Sequence, residues 1–287
     1  MTRPTHRPAT WFVTGTSRGL GLELVSQLLQ RGDNVAATTR SADRLVSALG
    51  ADVGAGRLLP LEVDLRDEEA VTQAVRRTTD HFGSLDVVVN NAGYGFLAAV
   101  EETSSQDVRD MLDVQVVGAY NVLRAAVPVL RRQKSGHVVN VSSVLGLTAV
   151  AGWGLYSAGK FALEAISEAL AAELADFGIR VTIVEPGYFR TSFLTTDSLR
   201  LPEATSDAYP GLRAMVQDHL ELQGSQLGDP ARGAARIIEH VVRDEDAPLR
   251  VLLGSDAHAY ATAKVAALQE NLDHTRETAP LTDFPVG

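Results

Sequence analysis

The sequence of 287 residues contains no cysteine, only three lysines, and aromatic side chains at just 6% of positions. The absence of cysteine excludes a disulfide-stapled fold, a thiolate metal site and a cysteine nucleophile. No segment approaches the roughly 18 uninterrupted apolar residues that a membrane-spanning helix needs. The other basic residues are all arginines, so Lys134, Lys160 and Lys264 stand out.

Acidic residues outnumber basic ones by 36 to 26, which gives a formal net charge of -10. Such a chain repels polyanions, so we expect neither a nucleic acid nor a membrane as partner. Residues 1–9 lack the apolar stretch of a secretory signal, and we expect them to form a flexible arm on a cytoplasmic protein. An anionic ligand would have to be bound by a local site.

Short apolar runs rich in β-branched residues alternate along the chain with longer amphipathic segments. The runs predict strands and the amphipathic segments predict helices. Val87, Val88 and Val89 are apolar on both faces of their strand, which is typical of a sheet covered on both sides. The sequence therefore predicts an α/β fold, a doubly wound parallel sheet of about seven strands with helices on both faces. The predicted strands are 11–14, 34–39, 57–63, 85–90, 137–142, 180–185 and 250–253, and the predicted helices are 19–31, 42–49, 67–82, 104–132, 155–177, 230–243 and 256–272.

We expect residues 10–272 to form a single domain and residues 273–287 to form a tail. One stretch, about 188–228, breaks the alternation, with two prolines and only a weak helical pattern at 212–222. It follows the end of a predicted strand, where open α/β sheets bind ligands, so we predict a flap that covers the substrate. The alternative is a solvent-exposed excursion without a ligand.

A glycine-rich turn separates the first predicted strand from the first predicted helix. Glycines there permit a tight turn and a close approach of the backbone to a pyrophosphate, while the helix N-terminus supplies N–H donors. This position favours a dinucleotide site of the Rossmann fold over a purely structural turn. The candidate residues in this turn are Gly15, Ser17, Arg18, Gly19, Leu20 and Gly21.

The second predicted strand ends without the acidic residue that usually binds the ribose of NAD. Arg40 stands there instead, and Arg18 projects from the glycine turn towards the same region. Because guanidinium groups suit phosphate, we predict NADP (NADPH) rather than NAD as the cofactor. The alternative is that both are ordinary surface arginines.

Tyr156 and Lys160 lie four residues apart in a predicted helix and therefore on one face of it. A cation near a tyrosine favours the phenolate and lowers the pKa of the hydroxyl, so the pair is a candidate proton donor and acceptor. With only three lysines in the chain, we prefer this to a core tyrosine beside a solvated lysine.

These motifs together resemble the short-chain dehydrogenase/reductase family over about residues 10–272. The residues that carry the resemblance are the turn from Thr14 to Gly21, the segment from Asn90 to Gly93, Ser143, Tyr156, Lys160, and Pro186-Gly187 followed by Thr191.

The resemblance implies that Tyr156 is the general acid and base and that Lys160 lowers its pKa and holds the nicotinamide ribose. It implies that Ser143, thirteen positions before Tyr156, binds the substrate oxygen, with Ser142 as the weaker candidate. Asp64 would contact the adenine unless it only caps a helix, and Thr191 would hold the carboxamide unless it is only a turn residue. The further cofactor-binding residues that it implies are Leu65, Asn90, Asn91, Ala92, Gly93, Pro186 and Gly187.

One position departs from the family pattern. Relatives usually have an asparagine in an Asn-x-x-Gly context, which completes a catalytic tetrad, whereas this chain has Gln115 before Gly118. Glutamine offers the same amide on a stem one methylene longer, so we expect it either to keep a supporting role in catalysis or to kink its helix differently.

The implied function is an NADP(H)-dependent oxidoreductase, a ketone or aldehyde reductase or a secondary-alcohol dehydrogenase (EC 1.1.1.-). The alternative is a catalytically impaired NADP-binding regulatory or interaction protein. The seven histidines show no metal-ligand spacing, and no metal is expected. The resemblance also implies a homodimer or homotetramer. The pocket candidates favour a bulky, largely apolar carbonyl or alcohol substrate; they are Tyr94, Phe96, Leu145, Trp153, Tyr188, Phe193, Leu194 and Met215.

Overall fold

A computed structural model describes residues 8–50, 54, 56–243 and 248–284. Its strands are β1 (Thr10–Thr14), β2 (Asn34–Thr39), β3 (Leu58–Glu62), β4 (Val87–Asn90), β5 (Gly95–Phe96), β6 (Gly136–Val141), β7 (Ile179–Pro186), β8 (Leu199–Arg200) and β9 (Arg250–Leu253). Its helices are α1 (Gly19–Gln30), α2 (Ala42–Leu49), α3 (Glu68–Phe82), α4 (Ser105–Leu112), α5 (Gly118–Gln133), α6 (Gly154–Leu174), α7 (Pro210–Glu221), α8 (Pro230–Arg243) and α9 (Ser255–Thr275).

Seven of these strands form one parallel sheet in the order β3-β2-β1-β4-β6-β7-β9. The predicted doubly wound sheet of seven strands is therefore confirmed. The strand order reverses between β1 and β4, and in such sheets the crevice beyond the carboxyl ends at this point is where ligands bind.

Alternate residues of the central strands face opposite helical layers, as the period of two in a strand requires. Trp11 and Val13 of β1 pack with α1 and α8, whereas Phe12 between them packs with α3, α5 and α6. All three are fully buried. A third apolar cluster, which includes Met111 and Trp153, lies at the carboxyl edge of the sheet.

Several boundaries differ from the predicted ones for local physical reasons. The predicted helix 104–132 is two helices, α4 and α5, joined by a π-helical turn from Asp113 to Val117. Helix α9 continues to Thr275, into the predicted tail, since the first residue that would break it is Pro280. Ala9, assigned to the flexible arm, is bound to Asp33 and Asn34, while residues 1–7 and 285–287 lie outside the described ranges.

The segment predicted to be a flap has more structure than expected. It contains a short 3-10 helix (Ser192–Leu194), strand β8, which pairs with β5, and helix α7. Hydrogen bonds from Gly228 N to Tyr188 O and from Arg190 N to Gly228 O close its base. The segment thus leaves the end of β7 and returns to within 3 Å of its starting point.

Candidate active site

A cavity of about 420 Å³ opens at the carboxyl edge of the sheet, beside the point where the strand order reverses. Its wall brings together every predicted cofactor-binding residue except Asn90, and every substrate-contacting candidate except Phe96 and Met215. The predicted residues that line it are Gly15, Ser17, Arg18, Gly19, Leu20, Gly21, Arg40, Asp64, Leu65, Asn91, Ala92, Gly93, Tyr94, Ser142, Ser143, Leu145, Trp153, Tyr156, Lys160, Pro186, Gly187, Tyr188, Thr191, Phe193 and Leu194.

The glycine turn has a conformation that larger residues would not permit. Gly15 and Gly19 have φ values of +68° and +57°, and a Cβ on Gly21 would lie 2.4 Å from the carbonyl oxygen of Gly15. Asn91 fixes the turn by donating from Nδ2 to the carbonyl oxygens of Thr14 and Gly15, at 2.9 and 3.0 Å. Helix α1 then begins without a side-chain cap or an acidic residue in its first turn, which leaves N–H donors for an anion.

Three arginines lie near one another at this end of the cavity. Arg18 and Arg40 line it, and Arg44 is close enough to act electrostatically on Arg18. Arg18 also contacts the flap, since Nη2 donates to the carbonyl oxygen of Asp197 at 2.6 Å and Nη1 lies 3.5 Å from its Oδ2. Burial lowers the pKa of Arg18, while the Asp197 carboxylate opposes this effect.

The two alternatives to cofactor contact have different outcomes in the structure. Asp64 does not cap α3, whose cap is Asp67, but forms a two-pronged ion pair with Arg66 that lowers the pKa of the Asp64 carboxyl. Thr191 does act as a cap, since its hydroxyl accepts from the N–H of Phe193 at 3.2 Å. Both side chains nevertheless line the cavity.

The three candidate catalytic side chains converge from two elements. Strand β6 ends just before Ser143, and α6 carries Tyr156 and Lys160 on its buried face. Lys160 Nζ donates to the carbonyl oxygen of Val141 at 2.8 Å and lies 5.8 Å from the centre of the Tyr156 ring. Ser143 Oγ accepts from the N–H of Leu145 at 3.1 Å.

Burial is the main electrostatic influence on this group. It lowers the pKa of Lys160 to about 8 and raises the pKa of Tyr156, which a hydrogen bond with Ser143 partly offsets. The expected lowering of the Tyr156 pKa by Lys160 is therefore not the dominant effect here, because removal of the phenol from water disfavours the phenolate more strongly.

Gln115 lies in the π-helical turn, behind the wall of the cavity, and is almost fully buried. Its Nε2 donates to the carbonyl oxygen of Tyr94 at 2.9 Å. A Cβ on Gly93 would lie within 4 Å of both Gln115 Nε2 and Lys160 Nζ, so the amide and the ammonium flank this glycine. Within the described residues Oε1 has no hydrogen-bond partner, which leaves a buried acceptor beside the candidate catalytic residues.

Three predicted candidates lie elsewhere. Asn90 is buried in the sheet and donates to Asn140, because the last residue of β4 points into the core rather than the cavity. Phe96 belongs to the apolar cluster at the carboxyl edge. Met215 does not line the cavity but packs closely against Gly152. A Cβ added to that glycine would lie only 2.5 Å from Met215 Cε.

Aromatic side chains form the end of the cavity beside Tyr156. The ring centres of Trp153 and Phe193 lie 5.4 and 5.7 Å from that of Tyr156. Helix α7 is attached here through His219, whose Nε2 lies 2.6 Å from the hydroxyl of Tyr188 and 3.4 Å from Nε1 of Trp153. This apolar, aromatic lining suits a substrate with a large hydrophobic portion.

Some residues that line the cavity were not predicted from the sequence. Asp197 and Arg200 come from the flap, Arg200 from the two-residue strand β8. Tyr260 comes from α9, which was predicted only as a helix. Arg200 lies over the ring of Tyr94 at 4.6 Å. The described residues contain no cluster of histidines and acids suited to a metal ion, and no described helix is long and apolar enough to cross a bilayer.

Fold and site together define a nucleotide-binding α/β oxidoreductase. The family model for short chain dehydrogenases matches residues 9–200. Oxidoreductase BOA17 of Botryotinia fuckeliana is 36% identical over 267 residues, which cover 93% of this chain and 96% of that protein. The chain therefore belongs to the short-chain dehydrogenase/reductase family.

Solved structures agree with this assignment. A short-chain dehydrogenase from Streptomyces avermitilis is 34% identical with a TM-score of 0.88, over 98% of this chain and 100% of that one. A short chain dehydrogenase from Burkholderia cenocepacia, solved in complex with NADP, is 26% identical with a TM-score of 0.72, over 93% and 97% of the two chains.

Proposed function

We propose that the protein is an NADP(H)-dependent oxidoreductase that interconverts a ketone or aldehyde and the corresponding alcohol. The observation that carries this proposal is the convergence of Ser143, Tyr156 and Lys160 on one cavity with the glycine turn. The uncapped N-terminus of α1 at this cavity fits a pyrophosphate. When bound, the cofactor supplies or accepts the hydride.

The chain's own residues handle the substrate oxygen and its proton. In the reductive direction Ser143 donates a hydrogen bond to the carbonyl oxygen, and Tyr156 gives its hydroxyl proton to the same oxygen. In the oxidative direction Tyr156 takes that proton back from the alcohol. The raised pKa of Tyr156 suits a proton donor, and the adjacent Lys160 stabilises the phenolate that remains after transfer.

The preference for NADP rests on charge. Arg18 and Arg40 line the end of the cavity that follows β2, where the adenosine ribose lies in dinucleotide-binding folds. A 2′-phosphate there would meet two guanidinium groups, whereas the hydroxyl of NAD would find no carboxylate at the end of β2.

A panel of ketones, aldehydes and alcohols tests the function, with NADPH consumption or formation followed by absorbance. Tyr156→Phe removes only the hydroxyl and should lower kcat by about 10²–10⁴-fold while NADPH still binds. Tyr120→Phe, on α5 and outside the cavity, makes the same chemical change and should leave kcat unaltered. NADPH binding without turnover across the panel would favour the regulatory alternative.

We further propose a homodimer or homotetramer that pairs α5 and α6. These helices leave Tyr120 and Phe161 exposed, and Phe177 in the 3-10 turn directly after α6 is exposed as well; the three are 40–48% exposed. Packing this face against a second copy of the chain would remove its apolar side chains from water. Sedimentation equilibrium should give two or four chains, and Phe161→Glu should shift the protein towards monomer; a monomeric wild type would refute the proposal.

A further inference from the structure

A group of charged side chains that includes two buried glutamates lies behind the candidate active site, and the reaction proposed above does not use it. We call it the acid cluster, which consists of Glu164 and Glu168 on α6, Glu185 at the end of β7 and Arg250 at the start of β9. Arg250 Nη2 lies 3.2 Å from Glu164 Oε2, its Nε lies 3.1 Å from Glu185 Oε1, and it also pairs with Glu168. Glu185 is fully buried and Glu164 is 5% exposed.

The cluster reaches the active site through α6 and through Ser142. Glu164 follows Lys160 by four residues, so both side chains lie on the same buried face of the helix. A Cβ on Gly146 would lie 2.5 Å from Ser142 Oγ and 3.0 Å from Glu164 Oε1, so the hydroxyl and the carboxylate flank this glycine. Ser142 itself lines the cavity.

Two buried carboxyl groups, Glu164 and Glu185, contact the same arginine, Arg250. The third acid, Glu168, has a side chain that is 56% exposed, so it can keep its charge in water. Two like charges close together in a buried site disfavour each other, which favours one proton shared by Glu164 and Glu185. Glu185 is the fully buried member, and burial together with the neighbouring Glu164 raises its pKa to about 8. Burial raises the pKa of Glu164 as well, but a hydrogen bond with Ser142 and the Arg250 guanidinium lower it. We therefore assign the shared proton to Glu185 and the negative charge to Glu164.

That charge acts on Lys160. Burial lowers the pKa of the lysine, whereas the Glu164 carboxylate raises it. Other groups that the structure places near Lys160 Nζ are uncharged: the carbonyl oxygen of Val141, the ring of Tyr156, and the amide of Gln115 on the other side of Gly93.

We propose that Glu164 is a positioning residue that keeps the buried Lys160 charged, while Glu185 stores the shared proton. The effect of Glu164 on turnover rests on the function proposed above. Its effect on the charge of Lys160 is independent of that function, because the lysine can be titrated in the protein without cofactor or substrate.

The scarcity of lysine makes this measurement direct. Protein labelled with ¹³C at the lysine Cε should show three signals, and Lys134→Arg and Lys264→Arg assign Lys160 by elimination. Titration of wild type gives the Lys160 midpoint. Glu164→Gln should lower that midpoint by about one to three pH units, since it removes an adjacent opposite charge.

Two further variants separate charge from packing. Glutamine closely resembles a protonated glutamic acid, so Glu185→Gln should leave the Lys160 midpoint within a few tenths of a pH unit. Glu173→Gln removes a charge from the exposed face of the same helix and should change nothing. Glu164→Asp retains the carboxylate and should keep the Lys160 midpoint close to that of wild type. A shift in Glu164→Gln that is absent from Glu164→Asp is therefore due to lost charge rather than to altered packing.

The proposal is overturned if Glu164→Gln leaves the Lys160 midpoint unchanged, or if Glu185→Gln lowers it equally. With turnover present, the alkaline limb of the kcat/KM profile should move to lower pH in Glu164→Gln, in parallel with the lysine signal. If wild type shows no turnover, the proposed function fails, whereas the lysine titration still decides the role of Glu164.

Discussion

Replacing Arg40 by alanine tests the cofactor assignment most directly. The side chain lies on the wall of the cavity at the end of β2, and the phosphate that distinguishes NADP from NAD is its proposed partner. A hydrogen bond to a charged group contributes about 1.5–3 kcal/mol. Since about 1.4 kcal/mol corresponds to tenfold in affinity, Arg40→Ala should raise the Kd for NADPH by about 10- to 100-fold. The Kd for NADH should stay within about twofold.

Arg18 provides an internal check, because it already has a partner. The Asp197 carboxylate competes with a phosphate for this guanidinium, and the Asp197 side chain is 72% exposed. Exposed ion pairs contribute about 0.2–1 kcal/mol, so Asp197→Asn should tighten NADPH binding by a factor of about 1.4 to 5. Arg44→Ala serves as the matched control, since Arg44 lies near Arg18 but does not line the cavity.

Calorimetric titration with NADPH and NADH at two salt concentrations measures these effects. The NADPH affinity of wild type should fall at high salt, because screening weakens contacts between exposed charges. The reasoning fails if Arg40→Ala binds NADPH as wild type does. It also fails if the variant weakens NADH to the same extent, because the arginine would then not contact the phosphate.

The remaining predictions concern single side chains. Gln115→Asn should leave kcat within about tenfold of wild type if the amide has a supporting role, and a large gain would show that glutamine impairs the enzyme. Gly21→Ala forces a Cβ to within 2.4 Å of Gly15 O and should lower the unfolding free energy by about 1–3 kcal/mol, whereas Gly211→Ala, in open space, should not. The unfolding free energy of wild type should fall as pH rises from about 4.5 through about 8, because Glu185 stays protonated longer in the folded chain; in Glu185→Gln this part of the pH dependence should vanish.

The sheet could be predicted because its determinants are local. Each buried strand is a short apolar run, and in a parallel sheet such a run ends where the chain turns towards a helix. The polar residues that follow these runs therefore meet at one edge. This is why Gly15, Asn91, Ser143 and Gly187, which follow four different strands, line one cavity. Gly15 was predicted from the glycine turn itself, whereas the other three were predicted through the family resemblance.

The π-helical turn could not be predicted in the same way. An inserted residue leaves the apolar pattern of the flanking helices nearly intact, so residues 104–132 read as one helix. The two-residue strands β5 and β8 were missed because their pairing joins segments about a hundred residues apart, and two residues are too few to show a period.

The pairing of charged side chains also could not be predicted from the sequence. Arg18 and Asp197 stand 179 residues apart, and Arg250 meets three glutamates from two other elements. A formal net charge of -10 suggests a site hostile to an anionic cofactor. The structure shows why the total is misleading, because several of those acids are bound to arginines or buried behind the active site. At the cavity itself, the electrostatic balance depends on which of those pairs a phosphate can displace. A phosphate at Arg18 competes with the Asp197 carboxylate, whereas the acid cluster lies behind the wall and keeps its partners. Cofactor binding should therefore respond to Asp197→Asn but not to Glu185→Gln.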